Sequence, residues 1–458
     1  MSANNGIVTY QNGTYQTTAV YYSPIASVAI TGQALGTFYC FLSRVKSWPT
    51  ESLPPAPTQD QKYLKETFKN MFVAKKITSN DMSPVVERID WTSGEVYDYY
   101  RDDVDMFALD TNGTILKRFY VRNRFDQVFK CLWNNNGGVT TTEPYFEPGT
   151  FNANQIFQGA DDYKWKYMYT ITSGSKLKFM DDAWMPVPIT SRIPNPFSTF
   201  AGSGSIDVIN VTNGGTGYDP SNATITVTVT GDGLYATANA TVVSNSITDI
   251  VVANTGSNYS YANVTISSSL GSGAIAIAPA SPIGGHAYNP ISELGTRHIM
   301  MTARFTKEEG GKLPTDIDFR QLGLLVNPYA YFGTTTGIAN AEIYKTTTDF
   351  VMSQGFGLYT PDETVYQSPN GLLASATFTA TVLSFDSAPN TLRLINTQGV
   401  ANNSALIYGA STGTARVVVQ QQTPDFIPFS GYLTYLENRE PVQRNTDGSE
   451  IFKLVLGY

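Results

Sequence analysis

The sequence predicts a mainly β fold with a few short helices, organised as a two-layer β body that carries inserted small β-modules. Three observations lead there. Aromatic residues make up 12% of the chain, with 28 Tyr and 24 Phe, while charged residues fall to 15%, against about 25% in an average globular protein. Short runs rich in Val, Tyr and Phe alternate with Asn-Gly and Asp-Gly turns, the pattern of hairpin-connected strands. Two stretches, 201–285 and 361–424, differ in texture from their surroundings. At 458 residues the chain exceeds one ordinary domain of ~100–200 residues, so inserted modules on a discontinuous body account for its length. The body comprises 1–200, 286–360 and 425–458.

Along the chain, Thr58-Gln-Asp-Gln61 reads as a capping box that opens a helix from Gln61 to Val73. Its Leu64, Phe68, Met71 and Phe72 recur at helical spacing on a core-facing side. Extended chain follows through Val85, Val86 and Ile89 to Trp91. Asp110-Thr-Asn112-Gly113 has the opening of a calcium loop but lacks the later Glu, so a turn between Met106–Leu109 and Ile115–Val121 is expected. Asn445-Thr-Asp447-Gly448 reads alike, as a turn joining Tyr432–Leu436 to Ile451–Leu456. In Lys164 to Tyr169 the Trp and Tyr residues fall on one strand face, fit for core or interface. Between the inserts, Ile299–Phe305 and Gln321–Val326 read as strands.

The first insert opens with Ala201-Gly-Ser-Gly-Ser205 and contains an internal repeat at an offset of 41. Ile206, Ile209, Val211, Asn213, Gly215, Tyr218, Asn222, Thr224 and Ile225 recur as Ile247, Ile250, Val252, Asn254, Gly256, Tyr259, Asn263, Thr265 and Ile266. Each copy continues into Gly-x-Gly, at Gly231/Gly233 and Gly271/Gly273. Repeat arrays ordinarily need about three units to bury a core, so this pair must close on itself or lean on the body. Tyr218 and Tyr259 are the candidate surface residues of this module, with repeated core anchors beside the glycine turns as the simpler reading. The second insert shows strands at Ala376–Leu383, Thr391–Ile395, Ala405–Tyr408 and Ala415–Gln420.

Several chemistries find little footing. A net charge of −8 disfavours broad contact with nucleic acid or anionic membrane. The basic-aromatic run Lys117 to Lys130 fits a strand pair better than a base-stacking track. Two cysteines, Cys40 and Cys131, and two histidines, His286 and His298, give neither a disulfide framework nor a zinc site. Both cysteines lie in apolar aromatic runs, where a thiol is ordinarily inert. Neither histidine has an evident carboxylate partner in sequence. Glu95, Asp98, Asp102, Asp103 and Asp105 cluster as paired acids might in a glycosidase, but interleaved Tyr and Arg suit a solvated loop as well. Gly214-Gly-Thr-Gly217 precedes no helix and reads as a turn. The expectation is of no catalytic site, cofactor or metal. The chain start shows no secretory leader and no ~18-residue apolar run occurs, so cytoplasmic synthesis is expected.

The order of the body motifs resembles the baseplate wedge subunit of T-even-like contractile-tailed phages. The matching strings are Phe41 to Trp48, the helix from Gln61, Val85 to Trp91, Asp161 to Tyr169, Trp184 to Pro188, Phe319 to Pro328, and Gly431 to Pro441 with its Tyr-x-Glu-Asn-Arg-x-Pro. The likeness spans about 15–195, 290–360 and 428–458 and skips both inserts. The inserts, shorter loops in the first half and missing cysteines are departures that bear on outer contacts. The resemblance implies a two-layer β body, a homodimer without catalysis that joins neighbouring wedge proteins, and a virion location in the tail baseplate. The inserted repeat would then decorate the baseplate and contact another tail component, a fibre or nothing. Candidate interface aromatics are Trp91, Tyr97, Tyr99, Tyr100, Trp165 and Tyr435, residues of the kind that interfaces favour. The alternative is a tail-associated glycan-binding or glycan-hydrolysing protein, acting through Asp102 and Asp103 or through Tyr218 and Tyr259.

Overall fold

The computed structural model describes residues 5–10, 13–18, 36–111, 115–150, 155–189, 203–444 and 448–457. The protein is mainly β, with short α-helices at Gln61–Asn70, Ser173–Phe179 and Pro290–Glu293 among these residues. Instead of one discontinuous body, the chain forms two compact units, Met1–Ser83 with His298–Tyr458, and Pro84–Arg297.

In the first unit a five-stranded antiparallel sheet runs in the order Ile343–Lys345, Met71–Ile77, Phe38–Ser43, Asp318–Val326, Tyr432–Gln443. A second layer is built on His298–Thr306 paired with Ser449–Gly457, which also pairs with Asn5–Tyr10. Between the layers, Cys40, Leu42, Leu322 and Leu324 from one sheet meet Met301, Ala303, Phe452 and Leu454 from the other. A two-layer β arrangement is thus present, within the first unit. The opposite face of the five-stranded sheet buries Tyr39, Phe41, Met71 and Ala74 against Tyr344 and Phe426.

The second insert is larger than its composition suggested. The four expected strands are present, as Phe378–Asp386, Thr391–Gly399, Leu406–Gly409 and Ala415–Gln422. Thr348–Met352 and Thr364–Gln367 join them to close a six-stranded barrel, so the module begins before 361. Phe350, Val365, Phe378, Val382, Leu392, Leu394, Ile407 and Val418 fill its interior.

Two local expectations change. The helix ends at Asn70, and Met71–Ile77 is a buried strand; an unbroken apolar run such as Met71-Phe-Val-Ala fits either period, and sheet packing decides it. Its N-cap is Asp60, which accepts from Lys62 N at 3.0 Å, rather than Thr58. Residues 445–447 lie outside the described residues, but the strands on either side pair with different partners, Asp318–Val326 and His298–Thr306. The two flanking strands therefore lie in different layers and are not paired with each other as a hairpin. Asn112 and Gly113 also lie outside the described residues; Leu109 and Ile115 form a bridge around them.

The second unit centres on a four-stranded antiparallel sheet in the order Tyr120–Arg122, Gln127–Trp133, Lys164–Thr170, Ile156–Gln158. Phe119, Val121, Phe129, Tyr163, Trp165 and Tyr169 lead its core. The duplicated module solves the two-copy problem by exchanging strands. Copy one supplies Asn210–Thr216, Ile225–Gly231 and Thr237–Val243, and copy two supplies Ser246–Asn254, Ala262–Ser268 and Ser272–Ile277. The first strand of each copy pairs with the last strand of the other, while the middle strands pair together. The sheet order is thus the same read from either end by copy. Its outer strands meet through the Ile209–Ile250 bridge, and Ile206, Ile209, Ile247 and Ile250 are buried inside.

Candidate protein interface

Four of the strings that carry the resemblance, drawn from residues 41 to 441, meet at one edge of the five-stranded sheet. Asn438, on the edge strand Tyr432–Gln443, is the hub: its Oδ1 accepts from Tyr63 Oη at 2.7 Å and from Gln321 Nε2 at 2.9 Å. Its Nδ2 donates to Pro55 O at 2.7 Å. Trp48 Nε1 donates to Arg439 O at 2.7 Å, which ties the segment after Phe38–Ser43 onto the same strand. Arg439 Nε and Tyr435 Oη both reach the buried Glu437 carboxylate, at 2.8 and 3.0 Å. Arg320 bridges Asp318 at 2.7 Å and Glu51 at 3.1 Å, and Arg44 bridges Asp318 at 2.8 Å and Asp362 at 2.7 Å.

Such groups are buried at little net cost only when nearly every donor and acceptor is met. Replacing Asn438 by Ala strands the Tyr63 hydroxyl proton and the Pro55 carbonyl and leaves Gln321 Nε2 with Tyr63 Oη, at 3.0 Å, in place of two acceptors. The expected loss is about 1–3 kcal/mol, read as a lowered urea midpoint, whereas a surface substitution at Glu440 should leave the midpoint unchanged.

One exposed apolar patch of the first unit reaches the same edge strand through Tyr432. A hairpin of Tyr329–Phe332 and Thr335–Ile338 sets Tyr329 opposite Ile338. Residues 425–430 hold it through Tyr331 N to Asp425 O at 3.2 Å, Ile427 N to Tyr329 O at 2.8 Å and Tyr329 N to Ser430 Oγ at 2.9 Å. Tyr329, Tyr331, Phe332, Ile338, Phe429 and Tyr432 are all exposed, Tyr432 by 73%. Tyr432 opens the edge strand that carries Asn438. Sequence reasoning passed over these residues because the runs around them read as buried strands; the Gly-Thr-Thr-Thr-Gly turn after Phe332 was the available sign of a projecting hairpin.

None of the aromatics nominated from sequence belongs to this exposed group. Tyr97, Trp165 and Tyr435 are fully buried: Trp165 stacks on Tyr163 at 5.5 Å and meets Tyr97 edge-on at 5.6 Å, while Tyr435 packs in the core between the two layers. Trp91 and Tyr99 are half-buried against the core of the second unit, with Trp91 Nε1 donating to Thr140 Oγ1 at 3.3 Å and Tyr99 meeting Trp133 edge-on at 5.2 Å. Tyr100 is half-buried between His286 and Lys130. Trp and Tyr satisfy a core as well as an interface, and here the core claims them. Tyr218 and Tyr259 are also buried, which corrects their surface assignment and agrees with repeated core anchors.

The acids of the cluster each have partners of their own. Asp98 accepts from Lys117 Nζ and Arg118 N, Asp103 is paired with Arg101, Asp102 accepts from Ala280 N at 2.8 Å, and Asp105 from Phe107 N at 2.9 Å. The basic run is equally engaged, Arg122 by Asp90 and Asp126, Arg124 by Glu143 and Lys130 by Glu293. Cys40 and Cys131 are buried, and burial pushes both thiols well above the usual range. No group of three or more His, Cys, Asp or Glu among the described residues is placed to hold a metal ion. No helix among them is long and apolar enough to cross a membrane.

One site in the second unit was hidden from sequence. On the strand Gln127–Trp133, Lys130 is fully buried and its ammonium pairs with Glu293 of the short helix Pro290–Glu293. His286, also buried, sets Nδ1 3.8 Å from the same carboxylate and packs edge-on against Tyr100 at 5.0 Å. Burial, helped by the Lys130 charge, brings the His286 imidazole down to about 4. Burial alone would raise Glu293, but the Lys130 and His286 charges outweigh it and hold the carboxyl at about 2. Beside this group Lys166 faces Asp207 at 4.0 Å and Lys164 pairs with Asp249 at 2.7 Å. Both aspartates belong to the first insert, so its acidic side is seated on a lysine face of the four-stranded sheet. No known protein family model matches the chain, and no curated protein sequence matches it.

Proposed function

We propose that the chain is a structural subunit of a contractile-tail baseplate wedge, associating as a homodimer and joining neighbouring wedge proteins without chemistry of its own. The observation that carries the reading is the convergence of four resemblance strings on the Asn438 network, beside an exposed group of aromatics at the same sheet edge. An interface needs a rigid frame next to desolvatable aromatic anchors, and this edge supplies both. The virion tail is the location that follows, with assembly in the host cytoplasm.

The test is the mass of the purified chain in solution by light scattering, before and after mixing with the other wedge proteins. A dimer that joins them is expected. Tyr331→Ser with Tyr432→Ser should weaken self-association about 30-fold, the effect of losing ~2 kcal/mol at a hot spot. A monomer that joins none of them at micromolar concentration would overturn the reading.

A further inference from the structure

We infer that Lys166 and Asp207 condense into an intramolecular amide that ties the first insert covalently to the four-stranded sheet. The inference is independent of the wedge reading and rests on the geometry of the second unit alone.

Two lysine-aspartate pairs join the strand Lys164–Thr170 to the insert, and they differ. Lys164 and Asp249 close to 2.7 Å with a quarter of the Asp249 side chain exposed, as a charge-assisted hydrogen bond does. Lys166 and Asp207 stand at 4.0 Å with both side chains buried. Asp207 Oδ1 accepts from Ser205 Oγ at 2.8 Å, but the buried Oδ2, the oxygen that faces Lys166, has no hydrogen-bond partner. Ser205 is itself fixed, its N donating to Ser281 Oγ at 2.9 Å and its Oγ lying 2.9 Å from the same hydroxyl. A charged pair so desolvated gains by becoming neutral. Burial lowers the Lys166 ammonium pKa, and the nearby Lys130 charge lowers it further against the opposing pull of Asp207.

The atoms balance without a co-reactant. The Lys166 ammonium passes a proton to Asp207 Oδ2, leaving an amine and a carboxylic acid. The Nζ lone pair adds to Cγ, and the negative charge that develops on Oδ1 is met by the Ser205 hydroxyl. The Cγ–Oδ2 bond then breaks, and Oδ2 leaves as water with one proton from the acid and one from the nitrogen. Attack requires Nζ to come within about 3–3.5 Å of Cγ, from a position now 4.0 Å from Oδ2. The product joins the sheet to the segment just before the insert's first strand, where pulling on the insert would otherwise open the seat.

Intact mass spectrometry of the full-length chain, held at neutral pH for several days, tests this. The expected mass is one water below the sequence mass, with a branched chymotryptic peptide joining Lys166 to Asp207. Lys166→Arg and Asp207→Ala should each restore the full mass, and Ser205→Ala should slow the loss about 100-fold, as removal of an oxyanion donor does. An unaltered wild-type mass would overturn the inference. So would a water loss that persists in Lys166→Arg, which would place it at a succinimide of an Asp-Gly pair, Asp232-Gly233 or Asp447-Gly448, instead.

Discussion

Glu293→Ala should cost the second unit about 3–5 kcal/mol, because it leaves the Lys130 ammonium buried with its charge unmatched. Lys130 is fully buried and Glu293 nearly so, so water cannot take over the lost contact, and the Tyr100 ring 4.8 Å away offers only a weak substitute. Glu293 also accepts from Asn289 N at 3.1 Å, so the short helix loses its N-terminal tie as well. Removing both charges together, as Lys130→Met with Glu293→Leu, should cost far less than Glu293→Ala, since the desolvation of two ions is removed along with their attraction. Urea unfolding followed by Trp fluorescence gives the comparison; a double variant as unstable as the single one would show that packing, rather than the charge, dominates the site.

The same cluster sets an acid limit, and its sign follows from the two shifts. His286 is held near 4 in the fold against an ordinary 6.5, so the unfolded chain takes up its proton first as pH falls. Its contribution is complete above about 6.5 and declines toward pH 4, by roughly 3 kcal/mol in all. Glu293, held near 2, contributes fully above its unfolded value and loses that contribution as pH falls from about 4.5 toward 2. Lys130 repels a protonated imidazole while Glu293 attracts it, and burial outweighs the attraction. His286→Phe should therefore flatten the stability profile between pH 6.5 and 4 and leave the decline below 4.5 in place. Parallel profiles for the two proteins would refute this account of His286.

What sequence could and could not reveal follows from range. Thr391, Leu406 and Ala415 open strands close to where the alternation placed them, because a period of two is a local property. Met71–Val73 was read as the end of a helix because an apolar run carries no period, and the sequence around Gly448 does not state which layer the next strand joins. The nominated tyrosines failed for a related reason: residue type does not separate core from surface when both favour aromatics. Lys130 and Glu293 lie 163 positions apart, and no spacing rule reaches that far. One compositional sign was available. Residues 203–285 contain four Asp and no Lys, Arg or Glu, and alternating lysines at 164 and 166 of a strand supply the complement.

Tyr218→Ala and Tyr259→Ala should each destabilise the duplicated module by about 3–5 kcal/mol, and by nearly equal amounts. The equality is the informative part. The Tyr218 hydroxyl accepts from Ala274 N at 3.3 Å and the Tyr259 hydroxyl from Ala236 N at 3.3 Å, each across to the other copy. Each ring lies on a glycine of the other copy: a Cβ at Gly271 would stand 2.7 Å from Tyr218 Cγ, and one at Gly233 would stand 2.3 Å from Tyr259 Cγ. Asn213 and Asn254 hold the matching turns by accepting from Gly215 N and Gly256 N at 2.9 and 3.0 Å. Those glycines adopt φ of 62° and 61°, where a side chain is strained. The preserved Asn213/Asn254, Gly215/Gly256 and Tyr218/Tyr259 pairs thus have matching places in the exchanged pairing, and neither copy can close its core without the other's last strand. Loss of either tyrosine should open both copies at once. Hydrogen exchange across 206–277 would then rise throughout for either variant, while Tyr→Phe at either position should cost only about 1 kcal/mol for the lost hydrogen bond. Exchange confined to the mutated copy would mean that the two repeats fold separately and that their strand exchange contributes little to stability.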